Sequence, residues 1–170
     1  LGDVYKRQAL EHPVDGIPFC FDLDDYFKRI HTLQKTAPLS VYTGVECGMQ
    51  LITDVVDKNK ALCQDKEFDY IIGSLHLVDG KDPYYPSFWE NQEPAECIQT
   101  YFEKIYDNIT TFHEMDSLGH LDYIVRYAPT DYKYQPEQFR EILEAILQTL
   151  IQKDLALEIN TCLLYTSDAA

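Results

Sequence analysis

The sequence predicts an α/β fold in which parallel strands alternate with helices, as in a β/α barrel. Apolar, strand-like runs alternate with amphipathic, helix-like segments along most of the chain. The run at residues 68–77 is almost continuously apolar, which is typical of a parallel strand buried on both faces. Three runs end in residue types that ligate metals, namely Glu46, His76 and His120. A β/α barrel places its active site at the C-terminal ends of its strands.

The predicted elements follow one another in a regular order. The first helix, over residues 22–34, has Asp22 as its candidate N-cap and apolar residues at three- and four-residue steps. Beyond it we expect strands over residues 39–46, 68–77, 115–121 and 155–161, and helices over residues 49–66, 94–112 and 136–153.

A long loop over residues 78–89 follows the second of these strands. Asp79-Gly80 and two prolines break regular structure there. Long loops beside an active site often act as lids. This one carries four aromatic residues that either pack on one another or form a wall of a substrate pocket: Tyr84, Tyr85, Phe88 and Trp89.

The composition narrows the classes of function. The chain has 170 residues and a net charge of −15, which disfavours a nucleic-acid partner because phosphate backbones require clustered Lys and Arg. A small anionic substrate is compatible with this charge, since a bound metal inverts the local field. No apolar run has the length of a membrane span. Five cysteines without a C-x-x-C pair indicate a reducing, cytoplasmic location, and the oligomeric state is left open.

Both ends of the chain differ from the pattern beside them. Residues 1–8 and 162–170 resemble translated adapter sequence, and we predict that they are non-native. We therefore expect one domain over residues 9–161, with its native sequence cut at both ends.

Right-handed crossovers place the C-terminal ends of parallel strands on one face of a sheet. We therefore expect Glu46, His76 and His120 to lie within about 10 Å of one another, with His12 at their border. Imidazole and carboxylate together suit Zn, Mn or Fe, and such metals activate water and clamp a phosphoryl group. A single histidine at a strand end is more often a hydrogen-bonded structural residue than a metal ligand. Glu46 alone could be a favourable negative charge at the N-terminus of the following helix. The joint pattern favours a metal site.

Two cations follow the predicted strand ends. Arg126 lies beyond His120, and Lys81 lies in the long loop. A guanidinium binds phosphate as a bidentate fork whereas an ammonium acts as a point charge, so Arg126 is the stronger candidate for a phosphate contact. A surface salt bridge is the alternative for both. We expect His31 and His113 to lie away from the site.

Several runs resemble the PHP-type histidinol-phosphatases: E-H-P at 11–13, G-V-E at 44–46, I-G-S-L-H-L-V-D-G-K at 72–81, L-G-H-L-D-Y-I-V-R-Y at 118–127 and L-E-I-N-T at 157–161. The resemblance implies a distorted (β/α)7 barrel with a trinuclear metal site that hydrolyses L-histidinol phosphate in histidine biosynthesis. It implies that His12, Glu46, His76 and His120 are metal ligands. It also implies that Arg126 contacts phosphate and that Asn160 faces the site.

The chain departs from the family pattern at both ends. The family's first His-x-His motif and its last Asp-x-His motif have no match here. We therefore expect a partial barrel whose parent protein carries the activity, and negligible phosphatase activity from these 170 residues even with added Mn or Zn. The alternatives are a PHP enzyme for another small phosphomonoester and a non-catalytic module of the same fold.

Overall fold

The computed structural model describes residues 11–14, 17–19, 21–64 and 68–159, with residues 11–19 described as backbone only. The predictions for Asn160 and for both terminal segments lie outside the described residues. Strands β1 (Glu11–Val14) and β2 (Ile17–Phe19) form an antiparallel hairpin. The sequence predicts only a short proline-containing turn after His12, and the pairing of β1 with β2 corrects that prediction. A two-stranded ribbon consists only of edge strands, and edge strands tolerate proline.

Helix α1 (Leu23–Thr36) confirms the first predicted helix. The Asp22 side chain accepts a hydrogen bond of 3.0 Å from the Asp25 amide, as an N-cap residue does. Phe27 is the buried residue of the helix.

The centre of the described chain is a four-stranded parallel sheet in the order β3-β4-β5-β6, which confirms the predicted α/β class. Helices connect its strands on the outside, as parallel connections require. The elements in chain order are β3 (Gly44–Gly48), α2 (Thr53–Gln64), β4 (Tyr70–Ser74), α3 (Pro94–Thr111), β5 (Ser117–Leu118), α4 (Arg140–Gln152) and β6 (Ala156–Leu157).

The strands are shorter than predicted. Glu46 is the third of five residues in β3 rather than its end. His76 and His120 each lie two residues beyond the last residue of their strands. Leu75 and Leu77 continue the apolar run of β4 because they still face the core, whereas Leu39 and Tyr42, before β3, are exposed, so an apolar pattern overestimates strand length. The predicted helix over 49–66 likewise begins only at Thr53.

Three short 3-10 helices were not predicted. They span Pro86–Phe88 in the long loop, Tyr123–Tyr127 after His120, and Pro136–Phe139, which replaces the first turn of the predicted last helix. The second of these, Tyr123–Tyr127, packs against His76 and His120 through the ring of Tyr123.

Helix α3 anchors the sheet on its outer side. Its residues Ile98, Tyr101, Phe102 and Ile105 are completely buried. The Tyr101 hydroxyl donates a hydrogen bond of 3.0 Å to the carbonyl of Leu75, the residue before His76. The core thus fixes the backbone from which His76 projects. No described helix is long and apolar enough to cross a membrane.

Candidate metal centre

Glu46, His76 and His120 meet at the C-terminal end of the sheet. The two Nε2 atoms of His76 and His120 are 3.1 Å apart. Oε1 of Glu46 lies 3.2 Å from Nε2 of His120 and 3.4 Å from Nε2 of His76. The side chains are 12%, 7% and 3% exposed for Glu46, His76 and His120. The predicted proximity of these residues is confirmed, and three potential ligand atoms form a nearly equilateral, buried triangle.

Strand geometry explains why these residues converge. Successive side chains of a strand point to opposite faces, so Glu46 faces the inner side of the sheet while Cys47, fully buried, faces the helices. Glu46 stands opposite Ile72 in the parallel register. His76 lies four residues beyond Ile72, two residues past the end of β4, and its ring reaches Oε1 of Glu46.

The charge of Glu46 is stabilised by its neighbours. Burial raises the pKa of the Glu46 carboxyl, but hydrogen bonds from His120 and His76 outweigh burial and hold that pKa below its ordinary range. The carboxyl is therefore an anion at neutral pH. A buried anion in contact with two imidazoles is a functional-site signature when it lies at the end of a sheet.

The triangle has the dimensions of a metal site. Four ligands arranged tetrahedrally at about 2.0–2.1 Å from zinc lie about 3.3–3.4 Å from one another. The observed separations of 3.1, 3.2 and 3.4 Å match one face of that tetrahedron. A proton on one Nε2 points along a single line and cannot serve both neighbours, whereas a central cation attracts all three lone pairs. The three residues therefore fit a divalent metal ion.

The tautomer of His120 is consistent with this fit. Within the described chain its Nδ1 atom is buried and has no hydrogen-bond partner. The protein groups described here therefore do not force the ring proton onto either nitrogen. A cation at Nε2 would place that proton on Nδ1.

Tyr123 holds the two imidazoles from the side. Its ring centroid lies 5.0 Å from that of His76 and 5.1 Å from that of His120. Its hydroxyl donates to Oδ1 of Asp82 at 3.2 Å. Burial, together with the Asp82 carboxylate, raises the pKa of Tyr123, so the phenol remains a neutral donor. Asp82 also accepts the Tyr84 amide at 2.9 Å, which connects the long loop to the histidines.

The remaining predicted site residues are less closely placed. Arg126 is exposed, on the same 3-10 helix as Tyr123, and its guanidinium carbon lies 5.6 Å from the ring centroid of Tyr127. Tyr127 in turn contacts Tyr123 at 5.1 Å. Lys81 is exposed in the loop. The phosphate contacts of both cations stay predictions.

Two of the three remaining histidines lie away from the triangle. His31 packs on Phe27 of α1, and His113 lies 3.4 Å from the Lys153 ammonium before β5. Neither belongs to the triangle, as predicted. His12 lies in β1, and because its side chain is outside the described residues, its place at the border of the triangle stays a prediction.

Sequence reasoning missed Tyr123, Asp82 and Glu158 as residues of this centre. Tyr123 lies inside one of the runs that carry the family resemblance, at 118–127, and Asp82 directly follows another, at 72–81, but their residue types alone gave no signal. Oε2 of Glu158 accepts the His120 amide at 3.0 Å. The available signal is its position in the run L-E-I-N-T at 157–161, two residues before Asn160 on the last predicted strand.

Comparison with known proteins supplies independent findings. The profile of the PHP domain matches residues 7–162. The chain is 32% identical to a probable histidinol-phosphatase of Clostridium acetobutylicum, over 89% of this chain and 58% of the relative. It is also 32% identical to the histidinol-phosphatase of Lactococcus lactis, over 86% of this chain and 55% of that protein. The chain thus spans a little over half the length of these relatives.

A solved structure has the same architecture. The crystal structure of histidinol phosphate phosphatase from Lactococcus lactis, complexed with zinc, L-histidinol and phosphate, superposes with a TM-score of 0.79. The match covers 86% of this chain and 56% of that one, at 32% identity. These findings confirm the resemblance to the PHP-type histidinol-phosphatases.

Proposed function

The chain belongs to the PHP domain family, and from that premise we propose that it forms part of a metal-dependent phosphomonoesterase that hydrolyses L-histidinol phosphate to L-histidinol and phosphate. The observation that carries the proposal is the triangle of Glu46, His76 and His120. The proposal is supported by relatives that bear the name histidinol-phosphatase and by the Lactococcus lactis structure, which holds zinc, L-histidinol and phosphate.

The three residues supply the right charge for this reaction. The chain carries −15 overall, which would repel a phosphate monoester. Glu46 contributes one negative charge to the centre while two neutral imidazoles contribute none, so a divalent ion would leave a net positive site. Held by Glu46, His76 and His120, a Zn, Mn or Fe ion would lower the pKa of a bound water and polarise a phosphoryl oxygen.

Four further residues are proposed to belong to the site. We assign His12 as a fourth metal ligand of the trinuclear cluster implied by the family. Arg126 is the proposed phosphate contact, with Lys81 and Asn160 in supporting roles. Arg126 is supported by exposure and by the series of ring contacts from Tyr127 to Tyr123 and the histidines.

The proposed partner is a small phosphorylated molecule, and the proposed location is the cytoplasm. The location is supported by the cysteine pattern of the sequence, because five cysteines without a C-x-x-C pair are typical of a reducing compartment.

Zinc binding tests the metal centre in the chain itself. We expect a chromophoric chelator to lose zinc to the chain, and Glu46→Gln or His76→Asn to abolish most of that transfer. His31→Asn is the matched control, because His31 lies on α1 away from the triangle. Failure of the unsubstituted chain to compete for zinc would contradict the proposal.

The substrate is tested in the natural gene product that contains this segment. We expect metal-dependent release of phosphate from L-histidinol phosphate, with a higher kcat/KM than from other small phosphomonoesters. A higher kcat/KM for a different phosphomonoester would support the proposed phosphatase chemistry and contradict the proposed substrate. Metal binding without turnover of any ester would instead identify a non-catalytic module.

A further inference from the structure

The backbone amide of His120 is held by a side chain rather than by the sheet. His120 N–H donates to Oε2 of Glu158 at 3.0 Å. Just before this point the sheet is regular, since Glu158 N–H donates to the Leu118 carbonyl at 2.9 Å. In a continued parallel ladder the next amide of β5 would donate to a main-chain carbonyl of β6. The Glu158 carboxylate takes the place of that carbonyl.

This substitution occurs where the chain changes direction. The His120 carbonyl accepts the Tyr123 amide at 3.0 Å, which begins the 3-10 helix. His120 is only 3% exposed, so its amide needs an acceptor within the protein. Glu158 lets the chain leave the sheet at His120 without burying an unpaired donor.

The backbone at Gly119, the residue before His120, is closely packed. A β-carbon at this position would lie 2.9 Å from Cγ2 of Ile72 and closer still to the Ser74 hydroxyl. It would lie 3.5 Å from Oε2 of Glu158. The backbone before His120 therefore lies directly against β4, with the Glu158 carboxylate on its β6 side. A small displacement would move His120 Nε2 out of a triangle whose sides are 3.1–3.4 Å.

We propose that Glu158 is a positioning residue that sets the metal affinity of the centre by fixing the backbone of His120. The inference rests on the proposed function, because it assumes that the triangle binds a metal. Glu158 acts through His120 and needs no contact with the ion or the substrate.

Charge is the competing explanation, because an additional carboxylate near a cation also favours binding. Two variants separate the two effects. Glu158→Gln keeps the length and an acceptor oxygen but removes the charge. Glu158→Asp keeps the charge but shortens the side chain by one methylene, so the carboxylate no longer reaches the amide.

The chain also offers a matched control for a purely structural role. At the opposite end of the sheet, Oδ2 of Asp116 accepts the Ile71 amide at 2.7 Å. This is the same type of bond, between a carboxylate on one strand segment and an amide of the next. Asp116→Ala should lower the melting temperature of the metal-free chain and leave zinc affinity unchanged.

The experiment measures the zinc Kd by chelator competition, and the hydrogen exchange of the His120 amide without metal. We expect Glu158→Asp to weaken zinc binding about 10- to 100-fold, the range found for partners that orient metal ligands. Its His120 amide should exchange faster. Glu158→Gln should remain within about threefold of the unsubstituted chain, because its acceptor oxygen is retained.

Each outcome decides a question. Weaker zinc binding by Glu158→Gln with normal zinc binding by Glu158→Asp would show that the charge of Glu158 sets the affinity, and would overturn its role in positioning His120. An unchanged Kd in both, with a lowered melting temperature, would reduce Glu158 to a structural residue. Failure of the unsubstituted chain to bind zinc would overturn the proposed function, and the exchange of the His120 amide would still show whether Glu158 holds it.

Discussion

Carboxylates at the two ends of the parallel sheet have different roles. At the N-terminal end, Asp69 accepts the Thr43 amide at 2.7 Å and its hydroxyl at 2.8 Å, and Asp116 accepts the Ile71 amide. Both aspartates are exposed. At the C-terminal end, Glu46 is largely buried, with 12% of its side chain exposed, and lies against His76 and His120. The carboxylates of Asp69 and Asp116 accept backbone hydrogen bonds at the N-terminal end of the sheet. The carboxylate of Glu46 belongs to the triangle of converging ligand atoms.

A lowered pKa does not distinguish the two ends. Backbone and hydroxyl hydrogen bonds from Thr43 lower the pKa of Asp69. The pKa of Glu46 is also lowered, although burial acts against it, because the imidazoles outweigh burial. What separates a structural carboxylate from a metal ligand is therefore its partners. A structural carboxylate accepts hydrogen bonds from amide donors. A metal-ligand carboxylate lies beside groups that have lone pairs of their own.

The largest expected effect comes from removing a ligand at the C-terminal end. His120→Asn should weaken zinc binding about 60-fold or more, because a zinc site of four ligands contributes about 10–16 kcal/mol, or roughly 2.5–4 kcal/mol for each ligand. The shorter amide cannot reach the position of Nε2. His113→Asn, at the N-terminal end of the sheet, is the matched control and should retain full affinity. Chelator competition measures both, and equal affinities would remove the distinction between the ends.

Arg126 should have the next largest effect. In the natural gene product, Arg126→Ala should lower kcat/KM for L-histidinol phosphate about tenfold or more, because a hydrogen bond to a charged group contributes about 1.5–3 kcal/mol. Metal content should not change. Lys153→Ala, a cation whose ammonium contacts the Thr110 carbonyl before β5, serves as the control. Unchanged kinetics for Arg126→Ala would exclude it from the site.

Glycines at the two ends give a smaller contrast in stability. Gly119→Ala should lower the free energy of unfolding by about 1–3 kcal/mol, as overpacking does in a well-packed core. The new methyl group would overlap Ile72 and Ser74. Gly44→Ala should cost less, because its β-carbon would lie 3.3 Å from the Tyr70 carbonyl oxygen. Urea unfolding of both variants provides the comparison, and a reversed order would count against the close packing at Gly119.

The smallest effect is a pH dependence at the N-terminal end. A carboxyl whose pKa is lower in the folded state stabilises the fold above its unfolded pKa of about 3.9, and this contribution disappears as the pH falls through the folded value. Asp69→Asn should therefore be less stable than the unsubstituted chain at pH 7 and nearly equal to it in strong acid. Urea unfolding across this range measures the difference. A gap that widens toward acid would reverse the sign and exclude the mechanism.

The sequence identified the central residues because they follow a topological rule. Glu46, His76 and His120 were predicted to converge from strand order alone, since right-handed parallel crossovers place strand ends on one face. Helix α1 was also predictable, because Asp22 caps it locally. The hairpin of β1 and β2 was missed because its prolines indicate a turn, and only pairing between the two segments makes them strands.

The sequence by itself determined the α/β class, the order of its elements and the identity of the three converging ligands, because periodicity and strand ends are local properties of the chain. Only the tertiary structure decided how those ligands are held. Glu158 is 38 residues from His120 and bonds to its amide, and Tyr123 reaches Asp82 across 41 residues. Such contacts depend on how the segments pack together, and no local pattern encodes a distance of about 3 Å between distant parts of the chain.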